Sequence, residues 1–222
     1  MLNTFKLKTP LSEANVRTLK VGDIVYLNGE KVYVVAMAST ARYLIDRIEK
    51  GNPLFNLEGS VIYQCPIGVR KMNEQYKVRW VGATTSIMSE EVAPKLIQHG
   101  ARAIMGKGGM GEKTLDALKK YGGVYLATVG ATSSILARHV VRIVNMYDPT
   151  LTFPLCELEV KNFGRLIVGM DSHGRSLFDH VWQQARKKVA EILSPYARAL
   201  CSPKHPKPYF RVKNRTSGKL KN

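Results

Sequence analysis

Residues 100–120 constrain this chain more than any other stretch. A strand-like run, RAIMG, leads into a glycine-rich turn and then into a helix-like run, EKTLDALKKY. Gly106, Gly108 and Gly111 have the spacing G-x-G-x-x-G, with Lys107 between the first two. Glycines let a backbone come close to a ligand, and free N–H groups at a helix start favour an anion. The stretch therefore predicts a strand–loop–helix unit that can hold an anionic group.

Two well-known phosphate-binding loops do not fit this stretch. A Walker loop fails because Gly100 is one residue too far from Gly106, and Gly108 stands where a metal-binding hydroxyl is required. A dinucleotide fold needs an acidic residue about twenty positions after the glycines. From Ala117 to Tyr147 there is no Asp or Glu. What remains is an anion site of another kind, or a tight turn that carries an ordinary surface lysine.

The rest of the chain predicts a mixed α/β domain over residues 1–200. Asn28 and Gly29 lie between two β-rich runs and indicate a hairpin. Helical spacing predicts helices at 39–51 and around 132–139, and an amphipathic run at 176–193. Separate strands are predicted at 157–160 and 165–171. Residues 201–222 have seven Lys or Arg, three prolines and no acid, which is typical of a flexible basic tail.

The charge balance limits the partners. Among 222 residues, 34 Lys and Arg face 17 Asp and Glu, which gives a net charge of +17. Such an excess favours nucleic acid, an anionic membrane surface, an anionic small molecule or an acidic protein. Charge alone does not indicate nucleic acid without stacking motifs or a binding module.

The cysteines and the apolar runs suggest a compartment. Cys65, Cys156 and Cys201 are scattered, without the spacing of a metal site, and we expect no metal ligands in this chain. The first residues lack the apolar segment of a secretory signal, and the apolar run Val32–Ala38 is too short to cross a bilayer. We therefore expect a cytoplasmic protein with reduced thiols and no membrane partner.

Five motifs in order carry a family resemblance: KVGDIVYLNG, TAR, GATTS, IMGKGGM and DSHGRSL. Together they resemble the β subunit, or C-terminal domain, of the iron-sulfur-dependent hydro-lyases, class I fumarase and L-tartrate dehydratase. The resemblance implies a swivelling β/β/α domain with a C-terminal helix. It also implies an α subunit that carries a 4Fe–4S cluster, and a hetero-oligomer that is active only with that subunit. The implied reaction is reversible addition of water to an unsaturated acid, with a dicarboxylate or hydroxy acid as substrate.

The same resemblance implies the residues that bind substrate. Arg42, in TAR, matches the family arginine that grips a carboxylate, for which a planar guanidinium is suited. Lys107, between Gly106 and Gly108, matches the family lysine at the same substrate. Arg42 as an ordinary charge on a solvated helix face is the structural alternative.

Thr84 matches the residue to which the family assigns proton abstraction. Thr85 and Ser86 follow it and are implied at the substrate. A threonine hydroxyl is a poor base unless its anion is strongly stabilised. The alternative for this triplet is helix capping.

The chain also departs from the family pattern. Ala41, Tyr43 and Ile45 surround Arg42 where the family has Gly, Asp and His, and Met88 replaces a second carboxylate-binding arginine. These changes leave three functions open: an active hydro-lyase subunit, a non-catalytic or differently specific relative, and a basic nucleic-acid-binding protein.

Overall fold

The structure, a computed structural model, describes residues 3–72, 75–130, 132–147, 151 and 153–200. The strands are β1 Thr4–Thr9, β2 Ile24–Val34, β3 Val61–Tyr63, β4 Ile67–Met72, β5 Gln75–Val81, β6 Ala103–Gly106, β7 Val124–Ala127, β8 Val140–Tyr147 and β9 Leu155–Met170. The helices are α1 Glu13–Arg17, α2 Ala38–Glu49, α3 Ala93–Gln98, α4 Glu112–Tyr121, α5 Ser133–Ala137 and α6 Leu177–Leu200, with a short 3₁₀ helix at Ser86–Ser89. The predicted α/β class is confirmed.

The main sheet closes on itself. Its strand order is β1-β2-β3-β6-β7-β9-β8, and β9 also pairs with β2. The neighbours β2, β3, β6 and β7 are parallel, whereas β9 is antiparallel to both β7 and β2. Because the four parallel strands share one direction, their carboxyl ends meet at one edge, which is where ligands bind in many α/β folds.

Alternation along the strands builds two cores. Tyr63, Met105 and Leu126 belong to a cluster to which all five strands of the closed ring contribute. Their neighbours Ile104 and Tyr125 belong to a second cluster with apolar side chains of α2, α3 and α4. Successive side chains of a strand point to opposite faces, so each parallel strand serves both cores. The carboxyl edge is therefore held on a well-packed frame.

The hairpin predicted at Asn28 and Gly29 is wrong. The chain continues through both residues as the single strand β2, which pairs with β9 along its length. Gly29 has a φ of +110°, and a Cβ there would lie 2.8 Å from the carbonyl oxygen of Thr9. The glycine allows β1 to approach closely and the register between β2 and β9 to shift. The Asn–Gly pair, a turn signal in isolation, therefore marks an irregularity within one strand.

Two further strand predictions are corrected. Residues 157–160 and 165–170 are not separate strands but lie in the 16-residue strand β9, which passes through Asn162 at a φ of +49° and ends one residue before the predicted limit of 171. Strand β4 was not predicted and forms a two-stranded antiparallel sheet with β5. Long-range pairing to β2, β7 and β8 keeps β9 continuous, and a local pattern does not contain that information.

The chain divides into two compact units, residues 1–178 and 179–222. Helix α6 begins at the end of the first unit and forms the described part of the second. The predicted basic tail, 201–222, lies outside the described residues, and the predicted domain over 1–200 stays a prediction. In the part of the chain that the structure describes, no helix has the length and apolar character needed to cross a membrane.

Candidate active site

The glycine-rich loop lies at the carboxyl edge of the parallel strands. Strand β6 ends at Gly106, which pairs with Ala127 at the end of β7. On the other side, the end of β3 is followed by Gln64. Thr128 donates two hydrogen bonds to the Gly106 carbonyl, from its backbone N–H at 2.8 Å and its hydroxyl at 3.1 Å. Three strand ends thus fix the start of the loop.

The predicted threonine–serine triplet lies against this loop. Thr85 forms a parallel bridge with Lys107. The Lys107 N–H donates to the Thr84 carbonyl at 3.2 Å, and the Ser86 N–H donates to the Lys107 carbonyl at 3.1 Å. The structure therefore brings together two motifs, GATTS and IMGKGGM, that the sequence analysis assigned to one site.

The hydroxyl of Thr84 is held as a hydrogen-bond donor. It donates to the Gln64 carbonyl at 2.8 Å, and the Thr84 N–H donates to the same oxygen at 2.8 Å. In this arrangement its proton is directed to the backbone and not to a basic side chain. The oxygen keeps lone pairs that can accept a hydrogen bond. The geometry thus fixes the position of Thr84 but does not activate it as a base.

Ser86 is buried and is hydrogen-bonded to Tyr125, a residue of the second core. The Tyr125 hydroxyl donates to the Ser86 Oγ at 2.9 Å, and burial raises the pKa of Tyr125, which keeps the phenol protonated as a donor. A Cβ on Gly106 would lie 2.0 Å from the same Oγ. Gly106 is therefore required for close packing. Sequence reasoning missed Tyr125, because nothing near it in the chain marks it as a partner of Ser86.

Lys107 presents an exposed ammonium group at this edge. It forms no ion pair with any described residue. The next residue, Gly108, has a φ of +75° with open space where a Cβ would be. This left-handed conformation favours glycine, and no side chain at position 108 covers Lys107. The site thus offers one uncompensated positive charge to an anion.

The start of α4 is already occupied by a carboxylate of this chain. Glu90 accepts hydrogen bonds from the Gly111 N–H at 2.8 Å, the Thr114 N–H at 3.0 Å and the Thr114 hydroxyl at 2.7 Å. A Cβ on Gly111 would lie 2.7 Å from a Glu90 oxygen. The prediction that free N–H groups here would hold an external anion is therefore wrong for these two residues. The Glu90 carboxylate therefore takes up part of the helix start, whereas the Lys107 ammonium forms no ion pair with a described residue.

Arg42 lies on the exposed side of α2, the helix that follows β2 at the carboxyl edge. Helix α2 contacts the 3₁₀ helix that begins at Ser86. No hydrogen bond or ion pair joins Arg42 to another described side chain. The structure places Arg42 at the predicted edge but does not bring it into direct contact with Lys107 or the triplet.

Met88 occupies the 3₁₀ helix and is 75% exposed. Arg102 precedes β6 and therefore lies at the opposite edge of the sheet. Its guanidinium donates to the Tyr121 carbonyl at 2.7 Å and to Glu58 at 3.0 Å. Arg102 therefore does not supply the charge that the family arginine would supply at position 88.

The described residues contain no group of three or more His, Cys, Asp or Glu side chains placed to hold a metal ion. Cys65 and Cys156 are both buried, and burial raises the pKa of each thiol, to about 11 for Cys156. Neither described thiol is therefore an exposed thiolate.

Comparison with known proteins places the chain in a family. The family described as Fumarase C-terminus matches residues 2–181. The chain belongs to this family, and the resemblance drawn from the motifs is confirmed at that level.

Three relatives give the match its detail. The chain is 37% identical to a Methanocaldococcus jannaschii protein provisionally named L(+)-tartrate dehydratase subunit beta, over 82% of this chain and 95% of the relative. It is 30% identical to the L(+)-tartrate dehydratase subunit beta of Escherichia coli, over 90% of this chain and 96% of the relative. A Geobacillus stearothermophilus protein provisionally named fumarate hydratase class I is 35% identical over 85% of this chain, which spans only 36% of that relative.

Proposed function

We propose that the chain is the β subunit of a cytoplasmic, iron-sulfur-dependent hydro-lyase of the fumarate hydratase or tartrate dehydratase type, which adds water reversibly to an unsaturated carboxylic acid. The contact between Thr84–Ser86 and the Lys107 loop carries the proposal. It places an unpaired cation and fixed hydroxyl groups at one carboxyl edge. Two relatives named as β subunits match over nearly their whole length, which supports an α subunit as partner.

In this proposal the cations bind the substrate. The exposed ammonium of Lys107 pairs with one carboxylate, and Arg42 approaches from α2 as a planar, bidentate partner. The backbone at Gly108 leaves open space beside Lys107, so a carboxylate can reach it without a side-chain clash. The role of both residues is binding and orientation.

Thr84 is proposed to handle the proton at the reacting carbon. Its hydroxyl oxygen is held at a fixed position by the Gln64 carbonyl. A neutral threonine is a weak base, so Thr84 can take a proton from the substrate only after its own hydroxyl proton has moved to a basic group. The Gln64 carbonyl is not such a base, so the acceptor has to come from the α subunit or from a carboxylate of the bound substrate. Substrate binding therefore has to change the environment of this hydroxyl.

The 4Fe–4S cluster is proposed to lie on the α subunit. This chain fits a substrate-binding role better than a ligand role, because both described cysteines are buried core residues. When bound, such a cluster supplies a Lewis-acidic iron for the substrate hydroxyl. The residues of this chain hold the carboxylates and place the carbon that exchanges a proton.

Met88 favours a variant of this function with altered specificity. The side chain is exposed at the site edge, and Arg102 does not replace the missing arginine because its guanidinium is bound to the Tyr121 carbonyl. A substrate with a less charged or more apolar distal end would fit such a position better than fumarate. This is the second candidate, within the same reaction class.

The test is to co-purify the chain with its native partner, reconstitute the cluster, and assay fumarate, mesaconate and tartrate. In the active complex, Lys107→Ala removes a charge-assisted hydrogen bond and should lower kcat/KM by about 10- to 150-fold. Lys119→Ala, at an exposed lysine of α4, is the matched control and should leave it unchanged. Equal activity of the two variants, or activity of the chain without a partner, would contradict the proposal.

A further inference from the structure

A second candidate binding surface lies away from the carboxyl-edge site. A groove of about 750 Å³ runs between β5, α5 and the start of β8. Neither Thr84–Ser86 nor Lys107 lines it. The groove therefore has no part in the proposed hydration chemistry.

Three exposed cations along this groove have no ion-pair partner among the described residues. Lys77 and Arg79 project from β5, and Arg138 follows α5. None of the three forms an ion pair with any residue that the structure describes. Like charges placed close together repel one another, so the groove carries a positive potential that an anionic partner would relieve.

The strand pairing of the hairpin adds to this repulsion. Arg70 of β4 is the direct cross-strand partner of Lys77. Directly opposite residues of an antiparallel pair project on the same face, and two like charges there destabilise the pair. Both side chains are exposed, and neither has a described acidic partner. This pairing is unfavourable for the isolated chain and becomes favourable when an acid lies between the two cations.

Another arginine that lines the groove differs because its charge is compensated by acidic residues of this chain. Arg142, on β8, contacts Glu30 at 2.8 Å and Glu159 at 2.6 Å. This cation is therefore already neutralised by the chain itself. The available charge is confined to the side of the groove formed by β5 and α5.

The groove also exposes apolar surface between the cations. Met72, Tyr76 and Val141 line it and are 51%, 48% and 55% exposed. Tyr76 is the only aromatic side chain among the lining residues, so the groove lacks a series of stacking platforms for bases. Mixed cationic and apolar surface matches a protein segment that carries both acidic and apolar side chains.

The backbone of β8 suits an extended partner. Among the described strands, β9 is the only one that pairs with β8, so β8 is an edge strand. Edge strands can receive an extended peptide, with side-chain pockets setting specificity. Residues Val140–Arg142 of this edge strand line the groove.

We propose that this groove binds an acidic, partly apolar, extended segment of a partner protein. The unpaired Lys77, Arg79 and Arg138 contact its carboxylates, and Met72, Tyr76 and Val141 contact its apolar side chains. The surface goes beyond the proposed hydro-lyase function and does not depend on it, since its residues are separate from the substrate site.

The test uses the full chain and a fluorescent peptide of alternating glutamate and leucine, followed by anisotropy. Lys77→Gln/Arg79→Gln/Arg138→Gln should weaken binding by about 10-fold, as expected for the loss of three exposed ion pairs. The control Lys6→Gln/Lys8→Gln/Lys20→Gln removes the same charge from exposed residues elsewhere and should change it by less than about 2-fold. The charge-reversed variant Lys77→Glu/Arg79→Glu/Arg138→Glu should prefer a lysine–leucine peptide.

Five outcomes would overturn the proposal. The first is no binding of the peptide, and the second is equal weakening by the two neutralised variants, which would show an effect of net charge alone. The third is equal binding of a glutamine–leucine peptide, and the fourth is loss of duplex DNA binding in the groove variant with peptide binding intact. Full displacement of the peptide by inorganic phosphate alone would likewise assign the groove to a small anion.

Discussion

The carboxylate of Glu90 caps the start of α4, and Glu90→Gln tests how much its hydrogen bonds stabilise the domain. The carboxylate accepts three hydrogen bonds, of 2.7 to 3.0 Å, from Gly111 and Thr114. An amide has a single acceptor oxygen, so at least one partly buried donor in this cluster would face an NH₂ group. The substitution also removes a negative charge from a helix N-terminus, where it is favourable.

The expected cost follows from these contacts. A hydrogen bond to a charged group contributes about 1.5 to 3 kcal/mol, and the charge at the helix start adds about 0.3 to 1 kcal/mol. We expect Glu90→Gln to lower the free energy of unfolding by about 2 to 3 kcal/mol. For a domain of this size, that corresponds to a fall in Tm of about 4 to 12 °C.

The neighbouring Glu91 provides the control. It pairs with Lys113 at 2.8 Å, with side chains 67% and 64% exposed, and such surface pairs contribute about 0 to 1 kcal/mol. The assay is thermal unfolding of both variants, with amide hydrogen exchange measured at Gly111 and Thr114. Faster exchange of these amides is expected only in Glu90→Gln. Equal Tm values for Glu90→Gln and Glu91→Gln would refute the reasoning.

Three further predictions concern the site and the core. Gly106→Ala places a Cβ 2.0 Å from the Ser86 Oγ and should lower the free energy of unfolding by about 1 to 3 kcal/mol. Gly130→Ala, whose Cβ would meet open space, should not lower it, and denaturant unfolding of the two variants checks the difference. Stability should fall as pH rises from about 9 towards 11. Burial raises the pKa of Cys156 to about 11 in the folded chain, so the thiol ionises at lower pH in the unfolded chain. The check is that Tm falls less steeply with pH in Cys156→Ala. In the reconstituted complex, Met88→Arg should raise kcat/KM for fumarate relative to a monocarboxylate analogue, and no change in that ratio would exclude a role for position 88 in specificity.

Local signals were sufficient wherever an element depends on its own residues. Helix α4 has an acidic start, a basic end and a glycine in the left-handed conformation after it, and it forms as the sequence predicts. Strand β6 is a short apolar run and forms within the predicted segment RAIMG. The motifs for the site were recognised because their residue types and order are distinctive.

The secondary-structure and helix-start predictions were wrong where the same local sequence pattern occurs in two different structures. Asn28 and Gly29 are a turn signal in isolation, yet here the glycine admits β1 beside β2. The free helix start expected near Glu112 was likewise a local inference. It is capped by Glu90, a residue more than twenty positions away, whose contact depends on how the 3₁₀ helix packs against α4.

The sequence by itself determined the α/β class, the strand–loop–helix unit and the family, because helix ends, apolar periodicity and motif order are written in adjacent residues. Only the tertiary structure decided that Lys107 stays free for an anion while Glu90 fills the helix start, and that Tyr125 holds Ser86. These assignments depend on distances between residues far apart in the chain. The pairing of β6 with β3 and with β7 brings these parts of the chain together, and no short stretch of sequence encodes it.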